Sequence, residues 1–401
     1  MRRRAFLAAG GLALGAGCSG LVGDSKKEES PPPKECAIDP SVTPGTSGWP
    51  SASGGAKNTR SVPSADAPAP PLELDWTFTT GGHVAAPEPV VVNGTVYATN
   101  YDDEVHAVNA ATGEHRWRVN IPVDSRVAVA GNRLFVVSDA SLCALDTKDG
   151  EEVWTTESTA ESSPLSGGIQ ATDDTVFVFG SLYLSAFDAA TGERRWRFST
   201  GLRIESSPAI ADGVVYAGND DTYVYALDAV TGERKWRYKT DGRVSCDTAV
   251  ADGVVHAGSE DGHLYTLDAK TGDKRWKRRA GSVEVIAVDG GHVYTGGRRG
   301  DNSTLHSFTA ETGTACWSAD GNEMGYSRTI AASSDGIYLS TEFFSGGNTL
   351  GVLNPQTGER VWRDEESNME FQGGLAVADG AVYVGGWNDS VLSVARFVPK
   401  D

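Results

Sequence analysis

The chain has 401 residues, 35 of them basic and 54 acidic, so its formal net charge at pH 7 is −19. A surface this acidic repels phosphate backbones and anionic lipid, which argues against nucleic-acid binding. Hydrophobic residues make up 39% of the chain, enough to build a core, and this excludes a wholly disordered protein.

Residues 1–17 have the pattern of an export signal: a basic start, an apolar stretch too short for the ~20 residues of a membrane span, and then Cys18. Arg3–Leu7 resembles the twin-arginine export signal. Gly15–Cys18 resembles a lipobox, although Gly15 stands where that motif usually has Leu. We expect a twin-arginine, lipoprotein-type signal peptide with lipid on Cys18. A plain secretory peptide with an incidental cysteine is the alternative.

Residues 18–47 are rich in Pro, Ser, Gly and charged residues and have no periodic apolar pattern. Such a composition cannot bury a core and predicts a disordered tether. We place the folded domain at 48–401.

Tryptophans recur at a nearly constant interval through this domain. The seven steps from the first to the last of the series cover 286 residues, a mean of about 41, which is the period of propeller blades. The 48 glycines agree with many short strands joined by tight turns. The tryptophans are Trp76, Trp117, Trp154, Trp196, Trp236, Trp276, Trp317 and Trp362.

Each repeat predicts four short strands, and its last two are joined by an Asp-x-x-Thr-Gly loop that precedes the tryptophan. The Asp carboxylate can accept turn N–H bonds, and the glycine takes the left-handed corner of the turn. The tryptophan then offers a flat face for packing against the neighbouring blade. We therefore assign structural, blade-docking roles to the tryptophans and to Gly113, Gly192, Gly232, Gly272, Asp188, Asp228 and Asp268.

This motif resembles that of the quinoprotein dehydrogenases and their non-enzymatic relatives, the pyrroloquinoline-quinone-like propellers, over about residues 48–398. The last repeat ends without a docking tryptophan, whereas the strand 72–78 with Trp76 precedes any blade. If that early strand serves as the outer strand of the last blade, the ring closes without an open edge. The prediction is an all-β, eight-bladed β-propeller closed by an N-terminal outer strand.

The resemblance to quinoprotein enzymes implies a vicinal cysteine pair, an aspartate base and a calcium site of Asp, Glu and Asn. The chain has no Cys-Cys sequence, and no histidine has metal-ligand spacing. Two acids and one base near the predicted central channel do not make a calcium cage, which needs 6–8 oxygens. We expect no catalytic residues, no metal and no cofactor. The predicted channel residues are Glu88, Arg126, Gly168, Ser207, Asp247, Val285, Thr329 and Gly374.

Four cysteines follow Cys18: Cys36 in the tether, and Cys143, Cys246 and Cys316 in three separate blades. An exported protein could oxidise them, but these positions do not suggest pairs. We expect buried, unpaired thiols.

A non-enzymatic scaffold that binds an unknown protein partner at the cell surface is the leading functional hypothesis. It resembles, in architecture, the propeller lipoprotein of the outer-membrane β-barrel assembly machinery. The chain would be monomeric, exported and anchored through lipid to the outer face of the cytoplasmic membrane. Its acidity, with 24 Arg against 11 Lys, resembles halophilic proteins. A quinone-dependent dehydrogenase relative and a ligand-binding or sensor subunit of a surface complex are the alternatives.

Aromatic residues and methionines cluster in the predicted loops of the last two blades. Side chains of these types are enriched at interface centres, so they indicate a possible partner patch. The alternative is that they fold inward and cap the core. They are Met324, Tyr326, Phe343, Phe344, Met369, Phe371 and Trp387.

Overall fold

The fold is seen in a computed structural model of the chain. It describes residues 36–38, 48–49, 51, 54–81, 88–100, 102–122, 126–138, 141–156, 168–180, 182–204, 206–299, 302–320, 326–342, 349–388 and 391–400. The predicted signal peptide and Cys18 lie outside these ranges.

Within the described residues, 32 antiparallel strands form eight four-stranded sheets, the blades of a propeller. A short 3-10 helix, Ser64–Asp66, precedes them, and none of the described helical structure could span a bilayer. Blade 1 contains β2 (Val90–Val92), β3 (Thr95–Thr99), β4 (Glu104–Asn109) and β5 (His115–Asn120); blade 2, β6 (Ala128–Ala130), β7 (Arg133–Ser138), β8 (Ser141–Asp146) and β9 (Glu152–Thr155); blade 3, β10 (Ile169–Ala171), β11 (Thr175–Phe179), β12 (Tyr183–Asp188) and β13 (Arg194–Ser199); blade 4, β14 (Ala209–Ala211), β15 (Val214–Gly218), β16 (Tyr223–Asp228) and β17 (Arg234–Lys239). Blade 5 contains β18 (Ala249–Ala251), β19 (Val254–Ser259), β20 (His263–Asp268) and β21 (Lys274–Arg279); blade 6, β22 (Val285–Asp289), β23 (His292–Arg299), β24 (Asn302–Thr309) and β25 (Ala315–Asp320); blade 7, β26 (Tyr326–Ala332), β27 (Ile337–Glu342), β28 (Thr349–Leu353) and β29 (Arg360–Arg363); blade 8, β30 (Glu370–Ala378), β31 (Ala381–Asn388), β32 (Val391–Pro399) and β1 (Leu72–Thr79).

The N-terminal strand β1 closes the ring, as the sequence predicts. It pairs antiparallel with β32, from Leu72 opposite Pro399 to Thr79 opposite Ser393. The first and last parts of the domain therefore share blade 8, and the propeller prediction is confirmed.

The core consists of hydrophobic clusters between adjacent blades. Tyr216 of blade 4, for example, packs in one cluster with Val250 and Val255 of blade 5. Within a blade, the outer tryptophan lies against an aromatic ring of the second strand, as Trp236 lies 5.8 Å from Tyr216 between ring centroids. Because every blade interface buries apolar side chains in this way, the ring is stabilised all around its circumference.

Seven of the eight docking tryptophans cover the loop glycine of the following blade. Trp236 Nε1 donates to Ala269 O at 2.9 Å, and a Cβ on Gly272 would lie 2.7 Å from Trp236 Cδ2. Gly272 has φ +76°, a conformation that favours glycine. The contacting pairs are Trp76–Gly113, Trp117–Gly150, Trp154–Gly192, Trp196–Gly232, Trp236–Gly272, Trp276–Gly313 and Trp317–Gly358.

Trp362 has no such glycine because blade 8 is closed by β1 rather than by a loop from β32. It packs edge-on against Phe397 instead, with the ring centroids 6.3 Å apart.

The motif aspartates hold their turns. Asp228 Oδ1 accepts bonds from the N–H groups of Val230 and Thr231, both at 3.0 Å, and Asp228 Oδ2 lies 2.9 Å from Lys235 Nζ. The Lys235 ammonium and the two N–H groups lower the pKa of Asp228 to about 2. Asp188 and Asp268 make the same turn bonds and pair with arginines.

The lead-in segment, which we define as residues 49–62, follows the innermost strands from blade to blade. Its backbone mainly accepts hydrogen bonds from N–H groups of these strands, which are the inner edges of the sheets, and it donates to them from Trp49 and Val62. The contacts are Trp49–Val91, Ser51–Ala128, Ala56–Ile210, Lys57–Val250, Thr59–Val288, Arg60–Ala332 and Val62–Ala332.

The cysteine prediction is wrong for one pair, because Cys36 and Cys316 form a disulfide. Cys36 is buried, so the predicted tether is structured at this point. The two cysteines are 280 residues apart in sequence, and only the fold brings them together. Cys143 and Cys246 are free and buried, and burial raises the pKa of the Cys246 thiol to about 12.

Candidate functional site

The predicted channel residues occupy one equivalent position in the eight blades, either in the innermost strand or one or two residues before it. In each blade the second strand carries an aromatic residue that pairs with a residue of the innermost strand. The channel residue lies two positions before that innermost-strand residue. Ser207 precedes Ala209, which pairs with Tyr216, and Asp247 precedes Ala249, which pairs with His256. The same register holds in the other six blades.

Neighbouring members of this ring approach one another closely. A Cβ on Gly168 would lie 2.3 Å from Ser207 Oγ, and one on Gly374 would lie 2.6 Å from Glu88 Cγ. Glycine at these two positions leaves room for the side chains of Ser207 and Glu88. Val285 is instead buried in the core between blades 6 and 7.

Four charged side chains form a connected ion-pair network at the axis. Arg126 Nε lies 2.7 Å from Glu88 Oε2, and Arg126 Nη1 lies 3.3 Å from Asp247 Oδ2. Arg60 Nη2 also lies 3.3 Å from Asp247 Oδ2, and the Ser207 N–H donates to Asp247 Oδ1 at 2.6 Å. Arg60, which the repeat pattern does not predict, comes from the lead-in segment and balances the carboxylate of Asp247.

The network keeps its charges. Glu88 raises the pKa of Arg126, whereas burial lowers the pKa of Arg60, with Asp247 opposing that effect. Both guanidinium groups remain cationic at neutral pH, since arginine starts from a very high pKa. Two cations therefore neutralise two anions inside the channel.

Asn58 anchors the lead-in segment to the inner strands beside this network. Its Nδ2 donates to Pro208 O at 2.7 Å and to the carbonyls of Ser207 and Thr248, each at 3.1 Å. Gln170 donates to Asn58 Oδ1. The buried amide thus ties the segment to blades 3, 4 and 5.

The axial residues do not fit a calcium-bound quinone, the group that the resemblance to quinoprotein enzymes implies. Glu88 and Asp247 are both engaged by arginines. Among the described residues, no three His, Cys, Asp or Glu side chains are grouped to hold a metal ion. The chain also lacks the adjacent cysteine pair that the enzymes would be expected to carry.

A cleft of about 1040 Å³ lies between the lead-in segment and blades 4 to 6, at the turns that join the first and second strands. Asp289 lines it and accepts a hydrogen bond from Ser61 Oγ. Blades 4 and 5 have Ala211 and Ala251 at the position of Asp289. Burial raises the pKa of Asp289 to about 6, and nearby Asp335 contributes to this shift.

This buried carboxyl should make stability depend on pH. Its folded pKa lies above the ordinary 3.8, so the folded state binds more protons and stability falls as pH rises from about 4 to about 6. We expect Asp289→Asn to raise the free energy of unfolding by about 1–3 kcal/mol near pH 8 and to change it little near pH 4. Urea denaturation at both pH values measures this.

The matched control is Asp252→Asn, an exposed aspartate of the same cleft. It should change stability by less than about 0.5 kcal/mol at either pH. An equal gain from both variants, or a gain from Asp289→Asn near pH 4, would contradict the assignment.

The predicted partner patch is wrong for Met369 and Phe371. Both side chains are buried, and Phe371 packs edge-on against Phe397 with centroids 5.7 Å apart. Phe371 belongs to β30, which begins at Glu370, and Met369 directly precedes that strand and packs in the same core cluster.

Trp387 is likewise in a strand rather than a loop. It lies in β31 opposite Glu370 and Leu392 and is half-buried. Tyr326 begins β26. Met324, Phe343 and Phe344 lie outside the described residues, so their part in a patch stays a prediction.

The sequence of the chain is similar to those of known proteins. The family model described as outer membrane protein assembly factor BamB matches residues 41–182, 180–301 and 239–347. Over 182 residues the chain is 30% identical to the dehydrogenase subunit of the quinone-dependent alcohol dehydrogenase of Gluconobacter oxydans, covering 37% of this chain and 23% of that protein. It spans less than a quarter of the length of such curated relatives.

Solved structures share the fold at low sequence identity. BamB from Moraxella catarrhalis superimposes with a TM-score of 0.66 at 20% identity, over 82% of this chain and 98% of that one. The quinohemoprotein alcohol dehydrogenase of Comamonas testosteroni gives a TM-score of 0.72 at 16% identity, over 89% of this chain and 81% of that one. At these identities the likeness establishes the propeller fold.

Proposed function

This chain belongs to the family of the outer membrane protein assembly factor BamB, and we propose that it is an exported propeller that acts as a protein-interaction scaffold. The ion-pair network at the axis carries this proposal. Glu88 and Asp247 are matched by Arg126 and Arg60 from within the chain. Because these charges are internally neutralised and one of them, Arg60, comes from the lead-in segment, they serve the fold better than they would serve a charged substrate.

The name of the family also supports a scaffold role, since an assembly factor works by contacting other proteins. Docking surfaces on such a propeller would lie on its loops and outer strands. We place the protein outside the cytoplasm, tethered to the outer face of the cytoplasmic membrane, as the sequence predicts.

Site-specific photo-crosslinking in intact cells tests the scaffold role. Leu202, in the connection from blade 3 to blade 4, and Val230, in the loop between the last two strands of blade 4, are exposed apolar side chains at opposite ends of the strands. Placing a photoreactive amino acid at each should yield a discrete protein adduct from at least one of them. If neither position gives an adduct in intact cells, the scaffold role fails.

A dehydrogenase-like activity is the second candidate, because a stretch of the chain is 30% identical to a quinone-dependent enzyme subunit. We expect no alcohol or sugar oxidation after incubation with pyrroloquinoline quinone and Ca²⁺ in a dye-linked assay. Turnover that disappears in Asp247→Asn but persists in Asp252→Asn would establish an enzyme instead.

The tether depends on Cys18, which lies outside the described residues. We expect Cys18→Ser to move the protein from the membrane fraction to the soluble fraction, without a change in melting temperature. One acyl chain anchors only marginally, so a modification with two chains is the stronger expectation. A Cys18→Ser protein that remains in the membrane fraction would place the anchor elsewhere.

A further inference from the structure

Basic residues are concentrated on the outer strands of three consecutive blades. The strands β13, β17 and β21 carry twelve of the 35 basic residues of the chain and no acidic residue. Without these twelve charges, the rest of the chain would have a net charge of −31 instead of −19. We call these three strands the basic sector.

The basic sector is accessible. Eleven of its twelve basic side chains are exposed, and Lys277 alone is intermediate. Some of its charges are satisfied locally, as when Arg275 pairs with Asp268 and Lys277 pairs with Asp241 and Asp261.

The side chains of five of the cations make no hydrogen bond or ion pair within the part of the chain that the structure describes. They occur on all three strands of the basic sector, so the unmatched charge continues across blades 3, 4 and 5. These residues are Arg194, Arg234, Lys239, Lys274 and Arg279.

Protection of exposed sheet edges does not account for this distribution. Lysine and arginine do discourage edge-to-edge pairing, and the outer strand of every blade is an edge. The other five outer strands are β1, β5, β9, β25 and β29, and their charges sum to zero. An edge therefore needs no basic charge in this fold, and the concentration in neighbouring blades requires another explanation.

We propose that the basic sector is a docking surface for an acidic, extended segment of a partner protein. Eight of its twelve cations are arginines, whose planar guanidinium groups match carboxylates in two-point contacts. The strongly negative remainder of the surface confines such a segment to this sector and orients it during the encounter.

The shape of a propeller favours a flexible chain over a flat surface. The outermost strands of a closed ring form a convex rim, which a planar membrane touches at one blade at a time. An extended polypeptide can follow the rim and contact β13, β17 and β21 together. The proposal rests on the scaffold role above for the partner being a protein.

Binding of a short, fluorescein-labelled poly-glutamate peptide, measured by anisotropy with the purified protein, tests the proposal. The test variant replaces Arg194, Arg234, Lys239 and Arg279 with Gln. The control variant replaces Arg116, Arg118, Arg360 and Arg363 with Gln, which removes four cations from outer strands elsewhere on the rim.

The test variant should bind the peptide roughly tenfold more weakly, with a shallower dependence on salt, because fewer counterions are released. The control variant should stay within about twofold of the unmodified protein. Equal losses in the two variants, or no binding by the unmodified protein, would overturn the proposal.

Three further outcomes would replace the acidic segment with another occupant. Tighter binding to phosphatidylglycerol vesicles than to the peptide would indicate a membrane. Tighter binding to single-stranded DNA would indicate a nucleic acid. Concentration-dependent self-association at low salt that the test variant abolishes would indicate a second copy of the chain. Because only purified components are used, failure here leaves the crosslinking test of the scaffold role standing.

Discussion

Gly272→Ala is expected to destabilise the protein far more than Gly253→Ala, although both glycines lie in blade 5 with positive φ, +76° and +72°. A Cβ on Gly253 meets nothing within 4 Å, so the change costs only the left-handed backbone conformation, about 1 kcal/mol. A Cβ on Gly272 meets the Trp236 ring at 2.7 Å and adds an overpacking cost of about 1–3 kcal/mol. Urea denaturation of the two variants measures the difference.

A double-mutant cycle shows whether the tryptophan is the cause. In a Trp236→Ala background the ring is absent, and the cost of Gly272→Ala should fall to that of Gly253→Ala. Trp236→Ala itself should cost about 3–5 kcal/mol, as large truncations in packed sites do. If the two glycine variants are equally stable with Trp236 present, docking between blades contributes little.

The fold was predictable because one local pattern is repeated. Each copy combines strands of period two, a turn with Asp and Gly, and a tryptophan. A strand that is ambiguous in one copy can therefore be assigned by aligning it with the other copies. The ring closure by the strand around Trp76 followed from counting tryptophans. His256 shows how strict the register is, since it stands at the tyrosine position of its blade and lies against Trp276, with centroids 6.2 Å apart.

The site was predictable only where it belongs to that repeat. Alignment of the blades placed Glu88, Arg126 and Asp247 near the axis, and the structure joins all three. Arg60 lies in the lead-in segment, which has no repeat and no periodicity. Nothing local in the sequence says that Arg60 of this segment pairs with Asp247, which is 187 residues later in the chain.

The strands of blade 8 differ from the repeat pattern for a related reason. Its three sequence-consecutive strands have nine, eight and nine residues, longer than in most other blades. The repeat pattern predicts loops for aromatic residues that lie beyond the usual strand length, and side chains in loops are expected to be exposed. In the structure Phe371 and Trp387 lie in strands, the register shifts between Phe371 and Leu375, and Phe371 is buried.

Removal of the disulfide between Cys36 and Cys316 is also expected to lower stability strongly. Removing it by Cys36→Ala with Cys316→Ala should lower the free energy of unfolding by about 2–5 kcal/mol, because it closes a loop of 280 residues in the unfolded chain. It also fixes buried Cys36 of the N-terminal segment to blade 6. Equilibrium urea denaturation with and without reductant measures the effect.

The double variant also provides the control for the reductant. Reductant should destabilise the unmodified protein and a Cys246→Ala variant by similar amounts and leave the double variant unchanged, because Cys143 and Cys246 are free thiols. Peptide mapping without reduction should recover Cys36 joined to Cys316, with the other two cysteines alkylated only after unfolding, since burial raises the pKa of both thiols and shields them. An unmodified protein that is insensitive to reductant and yields four alkylated cysteines would mean that the N-terminal segment is held by packing alone.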